Sequence, residues 1–357
     1  MRVTGADSRS GREHRAGRLR VTTVEIIVRV PPCRPVRELV ELTQHMEDLG
    51  VDRVSFPDSQ LLWREVWSTV SAVAVSTERI GLAVSVTNPV TRHPTVTASA
   101  ARSIAEIAPG RLTLAVGAGD SALTHIGERP VRSQTLEHAV GAIRTLLAGE
   151  EVAHGVHPWR LHHPVAVPVT IGASGPRNLA LAGRIADGAV IPSMAWDRDT
   201  GIVRDAAKAA GRDPDDLSYT MTRSCVITDD PERDAVVFKP MCLRLAQLGG
   251  AELFAAAGVP VDVPDHDLEL GDLGHPEDWD EAVKTCSAWI SDEAALWFAR
   301  TRSLFGTPDE VVAQLRELER NGVRSILLSH PGAFSLPSDL IETLGESVLP
   351  SLRRSGS

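Results

Sequence analysis

Four segments of the 357-residue sequence place glycine, proline and polar residues directly after apolar runs. In RLTLAVGAGDSA, Arg111 to Ala122, the run ends in Gly117, Ala118 and Gly119, followed by Asp120. Glycines at that point let a planar or bulky group approach the backbone closely, and the acid stands ready to take or give a proton. The plain alternative is a tight turn with a solvated Asp. FPDS puts Asp58 beyond another apolar run, where a carboxylate accepts a ligand hydrogen bond, acts as a base, or caps the turn. SVTNPVTRHP sets Thr87, Asn88, Thr91 and Arg92 around Pro89 and before Pro94, as donors suited to a polyol or a phosphate; His93 is an acid candidate or a structural residue. GASGPRN ends with Pro176 at a helix N1 position. The small residues before it leave a row of backbone N–H groups facing outward, which with the helix dipole makes a phosphate site.

These segments need a scaffold that brings the ends of several strands together. Apolar, β-branched stretches near 24–30, 51–56, 80–86, 111–116, 168–172, 188–192, 217–227 and 323–329 read as eight strands. Helical patterns such as VRELVELTQHMEDLG, PTVTASAARSIAEIAPG and TPDEVVAQLRELERNG lie between them. Alternating strands and helices imply parallel pairing through right-handed crossovers, and eight units predict an α/β chain closed as a (β/α)8 TIM barrel. An open dinucleotide-binding sheet would carry its glycine fingerprint after the first strand, and none is there. Two stretches interrupt the rhythm. One is the His-rich segment 149–167 after the fourth unit. The other is 230–305, before the last strand, with helix-like pieces at Pro231–Leu248, Asp278–Ile290 and Glu293–Leu304; such long insertions form lids or dimer surfaces. The expected organisation is a disordered extension over 1–20 and one barrel domain over 21–357.

The bulk numbers exclude several functions. A formal net charge of −10 speaks against nucleic acid or an anionic membrane as main partner. No apolar run reaches the length of a membrane span. The four cysteines form no C-x-x-C pair and read as reduced thiols in a cytoplasm. His154, His157, His162 and His163 match no metal-binding spacing, so no metal site is expected. Trp63, Trp196 and Trp297 either pack the core or line an aromatic pocket. Nucleophile-elbow and P-loop patterns are both absent.

TERIGLAVSVTNPVTRHP, GRLTLAVGAGDSA, PVTIGASGPRNLALAGRIADGAVI and LFGTPDEVVAQLRELERNGV together resemble the bacterial luciferase-like flavin superfamily, in its coenzyme F420-dependent branch. Over about 24–345 they are most similar to methylene-tetrahydromethanopterin reductases. The resemblance implies a TIM barrel that binds F420 at the strand C-termini, with a cis peptide at Ser85–Val86 pressed against the deazaflavin ring. It implies that Thr87, Asn88 and Thr91 contact the cofactor's polar chain and that Ala173, Ser174, Gly175 and Pro176 hold its phosphate. Gly117, Ala118, Gly119 and Asp58 would then lie beside the ring. Relatives often carry His after that strand-two acid, where this chain has Ser59. Asp120 takes the place of a proton-handling glutamate in related sugar and alcohol dehydrogenases and is assigned as acid/base, with Glu65 as the alternative. The implied function is an oxidoreductase moving a hydride between F420 and a small organic substrate, as a cytoplasmic homodimer. The alternatives are an FMN-dependent monooxygenase and a barrel that binds cofactor without catalysis.

Overall fold

A computed structural model describes residues 24–192, 195–266, 268 and 272–354. The expected extension over 1–20 lies outside the described residues. The strands are β1 (Glu25–Arg29), β2 (Arg53–Phe56), β3 (Gly81–Thr87), β4 (Leu112–Val116), β5 (Val169–Gly172), β6 (Gly188–Ile191), β7 (Ser218–Ile227), β8 (Leu304–Gly306) and β9 (Ser325–Ser329). Strands β1 to β7 pair in sequence order; β9 pairs with both β7 and β1 and closes the barrel, all in parallel register. Ile26, Val28, Val54, Leu82, Val84 and Leu114 are completely buried, as expected of strands covered on both faces.

The helices of the first half are α1 (Val36–Asp48), α2 (Val66–Ser76), α3 (Pro94–Ile107), α4 (Ser121–Thr124), α5 (Ser133–Leu147), α6 (Pro176–Ile185) and α7 (Trp196–Ala209). Those of the second half are α8 (Pro231–Asp234), α9 (Lys239–Leu245), α10 (Ala251–Ala256), α11 (Trp279–Cys286), α12 (Asp292–Arg302), α13 (Pro308–Arg320), α14 (Ser338–Thr343) and α15 (Leu349–Arg354). Helix α1 buries Leu39, Thr43 and Met46, one stripe at i, i+4 and i+7. Helix α13 starts in a capping box, with Thr307 and Glu310 each bonding the other's backbone N–H. At the bottom of the barrel Arg53 donates to the Arg111 carbonyl at 2.8 Å and pairs with Glu25 at 3.0 Å.

Eight strands form the barrel as the sequence predicts, and β8 is an addition. The expected helix to Leu304 stops at Arg302, and Leu304–Gly306 pairs with Cys225–Ile227, the far end of the ten-residue β7. The expected helix Pro231–Leu248 is also broken. Pro240 lacks an N–H, so α9 starts a new segment after a 3-10 turn at Ala235–Phe238, and the chain turns again at Gly249 with φ of 93°. The insertion buries a second apolar cluster around Phe238, Phe254, Phe298 and Phe305. In the shorter insertion, Val152 and Trp159 form one antiparallel bridge, and the His154 and His93 rings pack on Trp159 at 4.2 and 5.0 Å.

Helices α6 and α7 touch through Gly183. A Cβ there would strike the Val203 carbonyl oxygen and meet the Ala206 Cβ at 3.0 Å. Gly183→Ala is expected to destabilise the protein by about 1–3 kcal/mol, read as a lower urea midpoint with an unchanged m-value.

Candidate active site

The C-terminal ends of the barrel strands surround a cavity of ≈ 570 Å³. Of the residues singled out in the sequence, Asp58, Ser85, Val86, Asn88, Gly117, Ala118, Gly119, Asp120, Ala173 and Ser174 line it. The Ser85–Val86 peptide is cis. Beside it the β3–β4 register slips: Ser85 faces Ala115 and Thr87 faces Val116, so Val86 has no partner in the ladder. A Cβ on Gly117 would lie 2.9 Å from Val86, and one on Gly172 would lie 2.5 Å from it. These two glycines therefore make room for the Val86 side chain, which forms an apolar step in the cavity wall. Gly119, at φ of 85°, makes room for Leu123 in the same way. Glycine read from sequence as clearance for a ligand is first clearance for the protein's own side chains.

Asp58 follows β2 and accepts a hydrogen bond from the Thr87 hydroxyl at 2.7 Å. Burial raises its carboxyl above the ordinary Asp range. The Thr87 bond and the Arg92 charge oppose that rise, and Glu65 adds to it. Ser59 is buried and its hydroxyl lies 2.6 Å from that of Ser121, tying the β2 loop to the loop of Asp120. Asp120 itself sits on the cavity edge, 76% exposed, with Arg244 of α9 at 3.6 Å. Asn88 folds back on its own loop: its Oδ1 accepts from the Val90 and Thr91 amides at 3.0 Å and its Nδ2 donates to the Thr91 hydroxyl at 3.0 Å. Thr87 and Thr91 thus support the lining from behind.

At the end of β5, Gly175 is the N-cap and Pro176 the first residue of α6, with no side chain capping the turn. The Arg177 and Asn178 amides have no partner inside the helix, and Ser174 beside them is exposed. Glu65 lies away from the cavity. It caps α2 by accepting from the Ser68 amide at 2.6 Å and pairs with Arg92 at 2.6 Å; Arg92 in turn lies over the Trp67 ring.

Of the lining residues that escaped the sequence reading, His275 and Arg29 are the ionisable ones. His275, from the long insertion, lines the cavity with Nδ1 at 2.6 Å from Asp272 and its ring edge-on to Trp63 at 5.5 Å. The His275 bond, together with the Gly274 amide and Arg244, holds the Asp272 carboxyl far below the ordinary range, against the opposing effect of burial. Arg29, the last residue of β1, reaches the cavity over the other face of this corner, with its guanidinium 5.3 Å from the Trp63 ring centre. An arginine at the C-terminal end of the strand EIIVR was the signal available for it. No group of three metal-ligating side chains occurs among the described residues, and no described helix is long and apolar enough to cross a membrane.

A closed parallel barrel whose polar residues gather around one mouth defines the TIM-barrel class of proteins, with its site on the C-terminal rim. Within that class the chain belongs to the luciferase-like monooxygenase family, whose model matches residues 13–325. It is 31% identical over 317 residues to a 5,10-methylenetetrahydromethanopterin reductase of Methanolobus tindarius, covering 84% of this chain and 92% of that protein. It is 30% identical over 348 residues to an F420-dependent glucose-6-phosphate dehydrogenase of Nakamurella multipartita, covering 88% and 92%. The solved coenzyme F420-dependent tetrahydromethanopterin reductase of Methanopyrus kandleri shares the fold, with a TM-score of 0.72 at 21% identity over 93% of this chain and 100% of that one.

Asp58 provides a check by pH. A carboxyl raised in the folded state weakens stability as pH climbs from the unfolded value of 3.8 through the folded one. Asp58→Asn keeps the acceptor for Thr87 and removes the buried charge. It is expected to raise the melting temperature at pH 7, with the gain vanishing below pH 3.8; thermal melts across that range test it.

Proposed function

We propose that this protein is an F420-dependent oxidoreductase that moves a hydride between the deazaflavin and a small organic molecule. The observation that carries the reading is the mouth itself. Val86, seated between Gly117 and Gly172, gives an apolar backing suited to a flat ring, and the uncapped start of α6 lies across the same cavity. The residues present fit that cofactor, and the relatives named above for F420 match this chain over most of its length. When bound, the deazaflavin supplies the hydride chemistry. The chain's own residues do the rest. Val86 and Ala118 back the ring. Ser174 with the Arg177 and Asn178 amides holds the phosphate, as helix N-termini hold anions. The loop of Asn88 and Thr91 faces the polar chain.

Asp120 is the proton-handling group of this reading, placed on the cavity edge and oriented by Arg244. Asp58 is a buried support beside the ring that keeps Thr87 in place. His275 and Asp272 form a second proton station on the insertion side, with the Nδ1 contact fixing the imidazole. The same reading includes a cytoplasmic homodimer. All four cysteines are free and three are buried, as suits a reducing compartment, and sedimentation measures the assembly.

Titration with oxidised F420 and with FMN tests the cofactor. F420 is expected to bind at least about tenfold tighter than FMN, a difference of ~1.4 kcal/mol, and Gly172→Val to abolish that binding by displacing Val86. Tighter binding of FMN would replace this reading with the FMN-dependent monooxygenase. Asp120→Asn is expected to lower turnover by about 10²-fold or more with every accepted substrate, while F420 affinity stays unchanged. His275→Gln is expected to cost less; the reverse order would move the acid/base role to His275. Tight F420 binding with no turnover across alcohols, sugar phosphates and pterins would leave a cofactor-binding barrel without catalysis.

A further inference from the structure

A second cavity of ≈ 490 Å³ opens beside the first, and Arg29, Pro192 and Ser329 line both. Its far wall comes from the long insertion and is apolar, with Met241, Leu245, Leu253 and Phe298 among its residues. Leu248 and Leu253 also line it while remaining 77% and 43% exposed, so the apolar surface continues to the rim. Large side chains left in water at a cavity rim mark a surface kept for an apolar ligand.

The charges of this cavity are one-sided. Arg29, Arg244 and Arg302 line it, and among the described residues no Asp or Glu does. Arg244 is neutralised by Asp120 and Asp272, at 3.6 and 3.4 Å. Arg29 and Arg302 have no hydrogen-bond or ion-pair partner among the described residues; each lies only over an indole face, Trp63 and Trp297, at 5.3 and 5.4 Å. The Arg302 Nε is buried without a partner, and so is the His330 Nδ1 in the same cavity. Arg223 adds a further positive charge close to Arg302. Burial lowers the Arg29 guanidinium to about 10, which leaves it charged at neutral pH. Unpaired cations in a low-dielectric recess are costly, and an incoming anion removes that cost by forming paired, charge-assisted bonds.

We propose that the second cavity is the substrate pocket and that it takes an amphiphilic anion. A carboxylate or phosphate head pairs with Arg29 and Arg302, and an apolar body lies along the insertion wall. Arg29, shared by both cavities, places the head group next to the cofactor cavity. Calling the occupant a substrate rests on the oxidoreductase reading; the binding of the anion does not.

Calorimetric titration of the whole protein with octanoate, octyl phosphate and octanol, with and without F420, tests the proposal. At least one anion is expected to bind about tenfold or more tighter than octanol, and the better of the two identifies the head group. Arg302→Gln is expected to lower anion affinity at least about tenfold while octanol and F420 affinities hold. Arg29→Gln is expected to do the same to the anion, with partial recovery in Arg29→Lys. Leu248→Asp, on the exposed rim, should weaken anion binding without touching the fold and serves if the arginine variants melt early. Equal affinity for octanol and both anions, or anion binding indifferent to Arg302→Gln and Leu248→Asp, overturns the proposal. Anion binding intact in a protein that fails to bind F420 overturns the oxidoreductase reading instead.

Discussion

A parallel sheet of short, doubly buried strands leaves unpaired amides and carbonyls along any open edge, and closing the sheet on itself pairs them all. Here the pairing of Ile26 with Ile326 and of Ile27 with Leu327 closes the ring. Everything chemical in this protein follows from that closure. With all strands parallel, their C-terminal ends share one rim, and segments as distant as Asp58, Val86, Asp120 and Ser174 become neighbours around one cavity. The opposite rim carries the network of Arg53, Glu25 and the Arg111 carbonyl, which ties three strands together.

The insertion before the last barrel strand completes the mouth. It has a core of its own, yet β8 fastens one end of it to β7 and α9 sends Arg244 across to Asp120. Asp272 bridges Arg244 and His275, so a single carboxylate sets the position of two groups facing the cavities. The barrel thus supplies the floor and the insertion supplies much of the side walls. Such a division lets the side walls change without altering the floor.

The barrel was legible because its signals are local. Each of the eight apolar runs needed only its own residues to be read, and each begins within two residues of the observed strand. The segments GAGD and GASGPR were legible for the same reason, since strand ends and helix starts are written in adjacent residues. Helix α7 was missed because WDRDTGIVRDAAKA opens with charges and a glycine, and only Val203 and Ala207 of its apolar positions are fully buried. The roles of Glu65, Gly117 and Gly172 depended on partners 27, 31 and 86 positions away, at Arg92 and Val86. Arg302 draws its meaning from the lack of a counter-charge among the described residues, and nothing in its own neighbourhood in the sequence records that.

The closing pair has one further consequence, in the order of events during synthesis. Ser325 of β9 bonds to Glu25 of β1 across 300 residues of chain. At about 5–20 residues per second on the ribosome, roughly 15–60 s separate the appearance of the two strands. Strands β2 to β7 each have a pairing neighbour that is made before them, but the second edge of β1 has no strand to pair with until that interval has passed. The barrel therefore cannot close until the chain is nearly complete, and the strand that turns it into a vessel is among the last pieces delivered.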